Sequence, residues 1–469
     1  MQTPALTSST SSAIYSDSRL IRLWRNWLGV AGSIPLDKWL KNNLRELAGI
    51  KKGTEFNKGN VNNNLPQGLS LEDQAGLTQA MNNALRFQQL ACVLETLYQE
   101  YSRLESYPDI DWLHWDERWQ VRDLLPLSPA AFWFWIQLRV TNDLTKRNLT
   151  QLRDAKQRGD FFLQLQTSHY FSQHLKDYLW MGLRPQWKIL INERQVASSW
   201  SDENTAVFLE RQTTTPPIWL RIQSHCSPEE IHANLLAQHV NAGLHAQFGI
   251  YVNGGKGINS TTEYKNGAIE IQDLASQLIA RAVDVQPGQK VWDTCAGAGG
   301  KTLAIAARMD NKGAVISTDL HAYKLDELKR RVKRANIFNV RTFTWDGTAP
   351  LRLPKEVAQQ QGFDWVLIDA PCSSSGTWRR NPDARWRFDA ADTQELLSLQ
   401  QKILLNAAPG VRRGGALVYA TCSWQVSENE GQVNWFLSNH SQFELQSQRI
   451  LGAPELDADT MFVAVLRRK

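Results

Sequence analysis

The sequence predicts an α/β protein: a doubly wound parallel sheet at the C-terminal end, preceded by a small α+β module and a mostly helical N-terminal region. Three textures in the 469 residues predict it. Apolar residues recur at helical spacing through residues 1–190. A strand–helix–strand order follows in 191–265, and from 266 to 469 short apolar strands alternate with helical segments, the pattern of a parallel sheet covered on both faces. A chain of this length exceeds what one hydrophobic core usually supports, so more than one domain is expected.

In the first region the helical periodicity runs through LIRLWRNWLGV, ALRFQQLACVLETLYQEYSRL and AAFWFWIQLRV. A polar, Asn- and Gly-rich stretch between Lys51 and Ser70 is expected to be a mobile loop. The chain holds 19 tryptophans, dense in DWLHWDERWQVRDLLPLSPAAFWFWIQ, and most of them are expected in a packed core. In the second region PPIWLRIQ reads as a strand and SPEEIHANLLAQHV as a helix with Ser227 as N-cap. HAQFGIYV reads as a further strand. Such a module often presents a sheet to RNA.

The bulk properties narrow the function. Hydrophobic residues make up 42% and charged residues 21%, ordinary for a globular protein. No run is apolar and long enough to span a bilayer, and the opening MQTPALTSSTSSAIYS lacks the pattern of a secretion signal, so a cytoplasmic protein with no membrane partner is expected. The five cysteines, Cys92, Cys226, Cys295, Cys372 and Cys422, are scattered without metal-ligand spacing; neither disulfides nor a metal site is favoured, and free thiols remain for chemistry. A net charge of +5 permits a polyanionic partner without requiring one.

In the third region QKVWDTCA is a strand followed by the turn Cys295-Ala296-Gly297-Ala298-Gly299-Gly300-Lys301 and the helix KTLAIAARM. The glycines let the backbone turn sharply at a helix N-terminus, close to a ligand. The turn is not a phosphate-binding GxxxxGK[ST] loop, of which only the GK-Thr ending is shared. Asp319 ends the next strand, where a carboxylate can accept ribose hydroxyls, and Asp346 ends the third, where an adenine amino group could bind. Acidic residues at successive strand ends suit an adenosine ligand without phosphates, with S-adenosylmethionine the natural candidate and a dinucleotide the alternative. Each aspartate alone could equally be a helix N-cap.

The fourth strand ends at Asp369-Ala-Pro-Cys372 and the fifth at Ala420-Thr-Cys422, and neighbouring strand ends in such a sheet face one cleft. Two thiols beside an aspartate suggest covalent catalysis: a thiolate adding to carbon 6 of cytosine makes carbon 5 nucleophilic, and Asp369 can steady charge at ring nitrogen 3. The residues alone leave open which cysteine attacks. After the PCSSSGTW loop come Arg379, Arg380, Arg385 and Arg387, with Trp378 and Trp386 among them; they are the expected grip on RNA, arginines on phosphates and Trp378 on a base. The basic residues Lys329, Arg330, Arg331, Lys333 and Arg334 read as a solvated helix face, and the SENE run Ser427–Glu430 as the cap of the helix that follows.

DTCAGAGGKT, DAPCSSSG, RRNPDARWR, ATCSWQVSENE and IEIQDLASQL together resemble the RsmB-like (Sun family) RNA 5-methylcytosine methyltransferases, over residues from about Pro216 to the C-terminus. The resemblance implies a Rossmann-like class I methyltransferase domain that uses S-adenosylmethionine to methylate carbon 5 of cytosine in RNA, with rRNA of the small subunit favoured and tRNA as the other choice. It implies Cys422 as nucleophile, Cys372 as the aid to product release, and catalytic roles for Asp369 and Lys301. Cofactor contacts are implied from Cys295 to Lys301 and at Asp319, Asp346 and Asp369. A monomer is expected. The chain departs from the family with Gly297-Ala298 in place of a usual Ala-Pro, which loosens the turn, and with Ser374 in place of a common Gly, which adds a hydroxymethyl group near the base pocket. A methyltransferase for DNA or a small molecule, and an inactive RNA-binding scaffold, are the other classes; the middle module argues against the first, the retained cysteines, Asp369 and Lys301 against the second.

Overall fold

The computed structural model describes residues 14–15, 17–31, 33–47, 69–141, 152–168, 170, 175–254 and 257–469. Most of the expected loop between Lys51 and Ser70 lies outside them. The chain divides into two compact units, Met1–Ile189 with Asn381–Arg387, and Leu190–Arg380 with Phe388–Lys469.

The first unit is helical among its described residues. Its centre is the 34-residue helix Leu71–Leu104, capped by Ser70, against which the helix Pro129–Thr141 packs. Every side chain from Ala131 to Leu138 is buried, which is why that stretch lacks an amphipathic stripe: it is a core helix. Trp24 stacks on Phe132 at 4.6 Å, and Trp133 meets both edge-on. Most of the tryptophans are buried, as a core role requires. A buried Arg158–Glu95 ion pair at 2.6 Å crosses this core, and Trp135 Nε1 donates to the same carboxylate.

The second unit holds two sheets. The smaller comprises β1 (Ile218–Ile222), β2 (Ala242–His245), β3 (Gly249–Val252) and β4 (Ile269–Ile271), ordered β2-β3-β1-β4 and antiparallel throughout. The helix Pro228–Ala237, whose N-cap Ser227 accepts from Glu230 N, covers one face through Ile231 and Leu235. Two sequence expectations change here. HAQFGIYV is a hairpin and not one strand, because Gly249 takes a φ of +86° that only glycine adopts freely. The fourth strand comes from 269–271, so the boundary expected at 265/266 falls inside this sheet.

The larger sheet is ordered β10-β11-β9-β8-β5-β6-β7. Its strands are β5 (Lys290–Asp293), β6 (Ala314–Asp319), β7 (Val340–Thr344), β8 (Phe363–Asp369), β9 (Val411–Thr421), β10 (Phe443–Leu451) and β11 (Met461–Arg468). The five from β5 to β9 pair in parallel, and β11 and β10 extend the sheet antiparallel beyond β9. The inner parallel strands are apolar on both faces because helices cover both, and β6 is buried at all six positions, whereas the edge strand β7 is largely exposed. The chain winds from β5 out to β7 and then returns to β8 on the other side of β5, so the order reverses between β5 and β8. A crevice opens at such a switch point outside the carboxyl ends of the strands.

Candidate active site

Both cysteines and the acidic residues of interest lie at those carboxyl ends. After β5, Thr294 N donates to Leu367 O and Ala296 N to Thr318 O, which seats the glycine turn on its two neighbouring strands. Gly297 N donates to Asp319 at 3.0 Å, and Asp319 also accepts from His321 N at 2.8 Å, so this carboxylate closes the turn. Within the turn Gly299 is the position least able to carry a side chain: its φ is +86°, and a Cβ there would lie 2.0 Å from Leu328 Cδ1, which would have to move. The helix Gly300–Arg308 then starts without a side-chain cap, leaving its first N–H groups toward the crevice.

Asp293 ends β5 fully buried; Thr302 donates to one oxygen at 2.6 Å, and the other has no protein partner. Burial pushes its carboxyl up to about 7 despite the Thr302 bond. Asp346, past the end of β7, is exposed, and Thr348 donates to it through both N and Oγ1. Cys295 is a poor nucleophile, its thiol pushed up to about 12 by burial. These acceptors, with Lys301 on Asp369 and Lys324 3.7 Å from Asp319 as cations among them, suit a ligand bearing hydroxyls and amines better than one bearing phosphates.

Lys301 Nζ meets Asp369 Oδ2 at 2.7 Å at the β5/β8 switch. Burial pulls the ammonium pKa down, but the Asp369 carboxylate beside it more than reverses this and keeps it charged. Cys372 Sγ and Cys422 Sγ stand 3.4 Å apart, and Cys422 Sγ is also 3.4 Å from Ser374 Oγ. The pair is asymmetric. A hydrogen bond from Cys372, helped by Ser374 and Lys301, outweighs burial and lowers Cys422 below an ordinary thiol. Cys372, donating that bond from a buried position, is raised. Of the two coupled thiols, Cys422 is therefore the easier to ionise.

A polar lattice that local sequence reading missed holds the thiols together. Glu428, fully buried, accepts from Ser373 N at 2.8 Å, Ser373 Oγ at 2.6 Å and Gln400 Nε2 at 3.1 Å. Ser423 Oγ bridges Ser373 and Ser375, Gln425 Nε2 donates to Ser373, and Trp424 donates through N and Nε1 to Ser375. Gly376 N donates to Cys422 O, and Gly376 O accepts from Thr460 N. The SENE run therefore ties the two cysteine loops together and is not a helix cap. Asn429 precedes the helix Glu430–Asn439 but gives it no side-chain cap, binding Thr421 and Ser423 instead, while Glu430 pairs with the buried Arg194.

The expected RNA grip is corrected by burial. Trp378 is fully buried, edge-on to Trp424 and against Phe388. Arg379, 1% exposed, pairs with Asp457 and donates to Ala458 O and Thr214 O. Arg380 spans Asp273 and Asp459. Arg385 is fully buried, donates to Gly182 O and belongs to the helical unit, where Trp386 donates to Leu85 O. Trp378, Arg379 and Arg385 are buried against the protein and unavailable to phosphates or bases, and Arg380 is committed to two carboxylates. Arg387 is exposed and pairs with Asp383 at 3.0 Å, and Arg380 and Trp386 are partly open. The basic helix face is locally neutralised: Lys329 and Arg330 pair with Asp326 and Glu327, and Arg331 and Arg334 with the buried Glu270. No described helix is long and apolar enough to cross a membrane.

Known proteins give this geometry a family. A model described as 16S rRNA methyltransferase RsmB/F matches residues 280–465. The "Probable ribosomal RNA small subunit methyltransferase B" of Bacillus subtilis (strain 168) is 38% identical over 187 residues, 40% of this chain and 41% of that protein. The chain thus spans about two fifths of that relative's length. The ribosomal RNA small subunit methyltransferase B of Yersinia pestis bv. Antiqua (strain Angola) is 30% identical over 300 residues, 61% of this chain and 67% of that protein. A methyltransferase homolog protein from Pyrococcus horikoshii shares the fold with a TM-score of 0.52 at 24% identity, covering 64% of this chain and 99% of that one. With a family model over its C-terminal sheet and a relative matched along two thirds of its length, the chain belongs to the 16S rRNA methyltransferase RsmB/F family.

Proposed function

We propose that the protein methylates carbon 5 of a cytosine in RNA, with rRNA of the small subunit as the favoured substrate, through a covalent adduct with Cys422. The observation that carries this reading is the thiol pair at 3.4 Å beside the Lys301–Asp369 pair at 2.7 Å, on the ends of adjacent parallel strands. Two thiols in contact serve a reaction in which one sulfur bonds to a ring and must later leave it.

The glycine turn Cys295–Lys301, Asp319, Asp346 and Asp369 would hold S-adenosylmethionine, which when bound supplies the electrophilic methyl group that an activated carbon 5 receives. The chain's own residues do the rest. Cys422 gives a sulfur electron pair to carbon 6 of the base, and the carbon 5–carbon 6 double bond opens toward the carbonyl and nitrogen 3. The Lys301 ammonium, held charged by Asp369 at 2.7 Å, offsets the negative charge that grows at that edge, and Asp369 can pass the proton the pair shares to nitrogen 3. Once carbon 5 is methylated its proton leaves to water with the help of Cys372; the double bond re-forms and its electrons expel Cys422 as thiolate. Cys372 attacking in place of Cys422 is the alternative order, and the lower thiol of the two supports Cys422.

Bisulfite mapping of rRNA and tRNA from a deletion strain tests the substrate. Loss of one protected cytosine in small-subunit rRNA is expected; loss confined to tRNA, or no loss in either, overturns it.

A further inference from the structure

We infer that Ser374 is a positioning residue for the nucleophile, its hydroxyl donating to the Cys422 sulfur once that sulfur is ionised. The inference rests on Cys422 being the attacking thiol. Ser374 holds a φ of +56°, a left-handed backbone that costs any residue but glycine, or to a lesser degree asparagine and aspartate. A glycine there would relieve the strain, yet the chain places a hydroxyl at this point. Thr377 N and Oγ1 both donate to Ser374 O at 2.9 Å and fix the turn. That turn aims Oγ at two atoms: Cys422 Sγ at 3.4 Å and Cys372 O at 3.5 Å.

The carbonyl contact is long and weak, so the hydroxyl proton is free to swing between the two acceptors. With Cys422 as a thiol, the sulfur donates and the serine accepts. With Cys422 as a thiolate, Ser374 O–H and Cys372 S–H point at the sulfur together, one from each side of the loop. When the sulfur becomes bonded to carbon 6 it loses its charge, and the hydroxyl returns to Cys372 O. The serine thus stabilises the ionised nucleophile before attack and again as the leaving sulfur is expelled, and it makes no demand on the adduct between them. No charged side chain is added to the cleft in doing so.

The test measures the rate of iodoacetamide alkylation of Cys422 across pH, read by peptide mass spectrometry in the full chain, for wild type, Ser374→Ala and Ser374→Gly. This readout needs no RNA and no turnover, so its failure is separable from failure of the proposed reaction. Both substitutions are expected to slow Cys422 alkylation roughly tenfold at neutral pH and move its profile alkaline, with Cys295 unchanged. Glycine suits the left-handed backbone, so that variant carries the test even where alanine impairs folding. An unchanged profile in the glycine variant overturns the inference, and so does a loss with alanine that glycine restores, which would make backbone strain the cause.

Discussion

Replacing Gly376 with alanine should separate the two thiols without touching either. Gly376 is buried where the Cys372 loop crosses the chain after β9 and the chain entering β11. A Cβ there would lie 1.6 Å from Thr460 O, 2.7 Å from its carbonyl carbon and 3.0 Å from Cys422 O. These are backbone atoms at the ends of two inner strands, so no side-chain rotation relieves the overlap, and the loop must retreat on the order of 1.5 Å to reach ordinary contact. That displacement breaks Gly376 N to Cys422 O and Thr460 N to Gly376 O, both 3.0 Å. Two weakened buried hydrogen bonds and local overpacking together cost about 3–5 kcal/mol. A misplacement of this size at the reacting groups lowers turnover about a hundredfold. Urea unfolding monitored by tryptophan fluorescence, with methyl transfer to RNA measured in parallel, reads both. A variant with wild-type stability and turnover would show that the close approach at Gly376 does not hold the cysteine loops, and the geometric argument would fall.

Two further outcomes follow from buried charges. Arg379→Ala should lower stability by roughly 2 kcal/mol, because it removes a buried side chain and leaves the carbonyls of Ala458 and Thr214 without their donor, while leaving RNA affinity within about twofold; a stable variant with weakened RNA binding would restore the contact role read from sequence. Asp293, held near 7 by burial, keeps a proton in the folded state that the unfolded chain releases at about 4. Its contribution to stability is full below about pH 4 and declines by up to about 1.4 kcal/mol per pH unit as pH rises toward 7. Asp293→Asn should flatten that part of the stability–pH curve, and an unchanged slope in chemical denaturation would contradict it.

Much of the catalytic half was legible because its signals are local. The glycine turn, Asp319 and the two cysteines each close an apolar strand, and strand ends in a parallel sheet share one crevice. What escaped was set by distant partners. Trp378 and the arginines from 379 to 385 look like an RNA grip in sequence, but their partners Asp457, Asp459, Asp273 and Gly182 lie about 80 to 200 residues away. Glu428 read as a cap because the helix after it is close in sequence, whereas Ser373, its true partner, is 55 residues upstream. β10 gave no strand signal because six of its nine residues are exposed at the sheet edge. The hairpin at 242–252 was hidden by a turn too short to break the apolar run. Ser374 was noticed as a departure, but its meaning needed the φ angle and the sulfur at 3.4 Å.

The assignment of roles within the thiol pair is the centre of the account, and denaturing gels of each cysteine variant incubated with its RNA and S-adenosylmethionine test it most directly. Cys372→Ala should accumulate a slow-migrating covalent protein–RNA band, because attack by Cys422 survives and release fails. Cys422→Ala should form no such band. A band with Cys422→Ala and none with Cys372→Ala would reverse the roles, and the absence of a band from both would remove the covalent step.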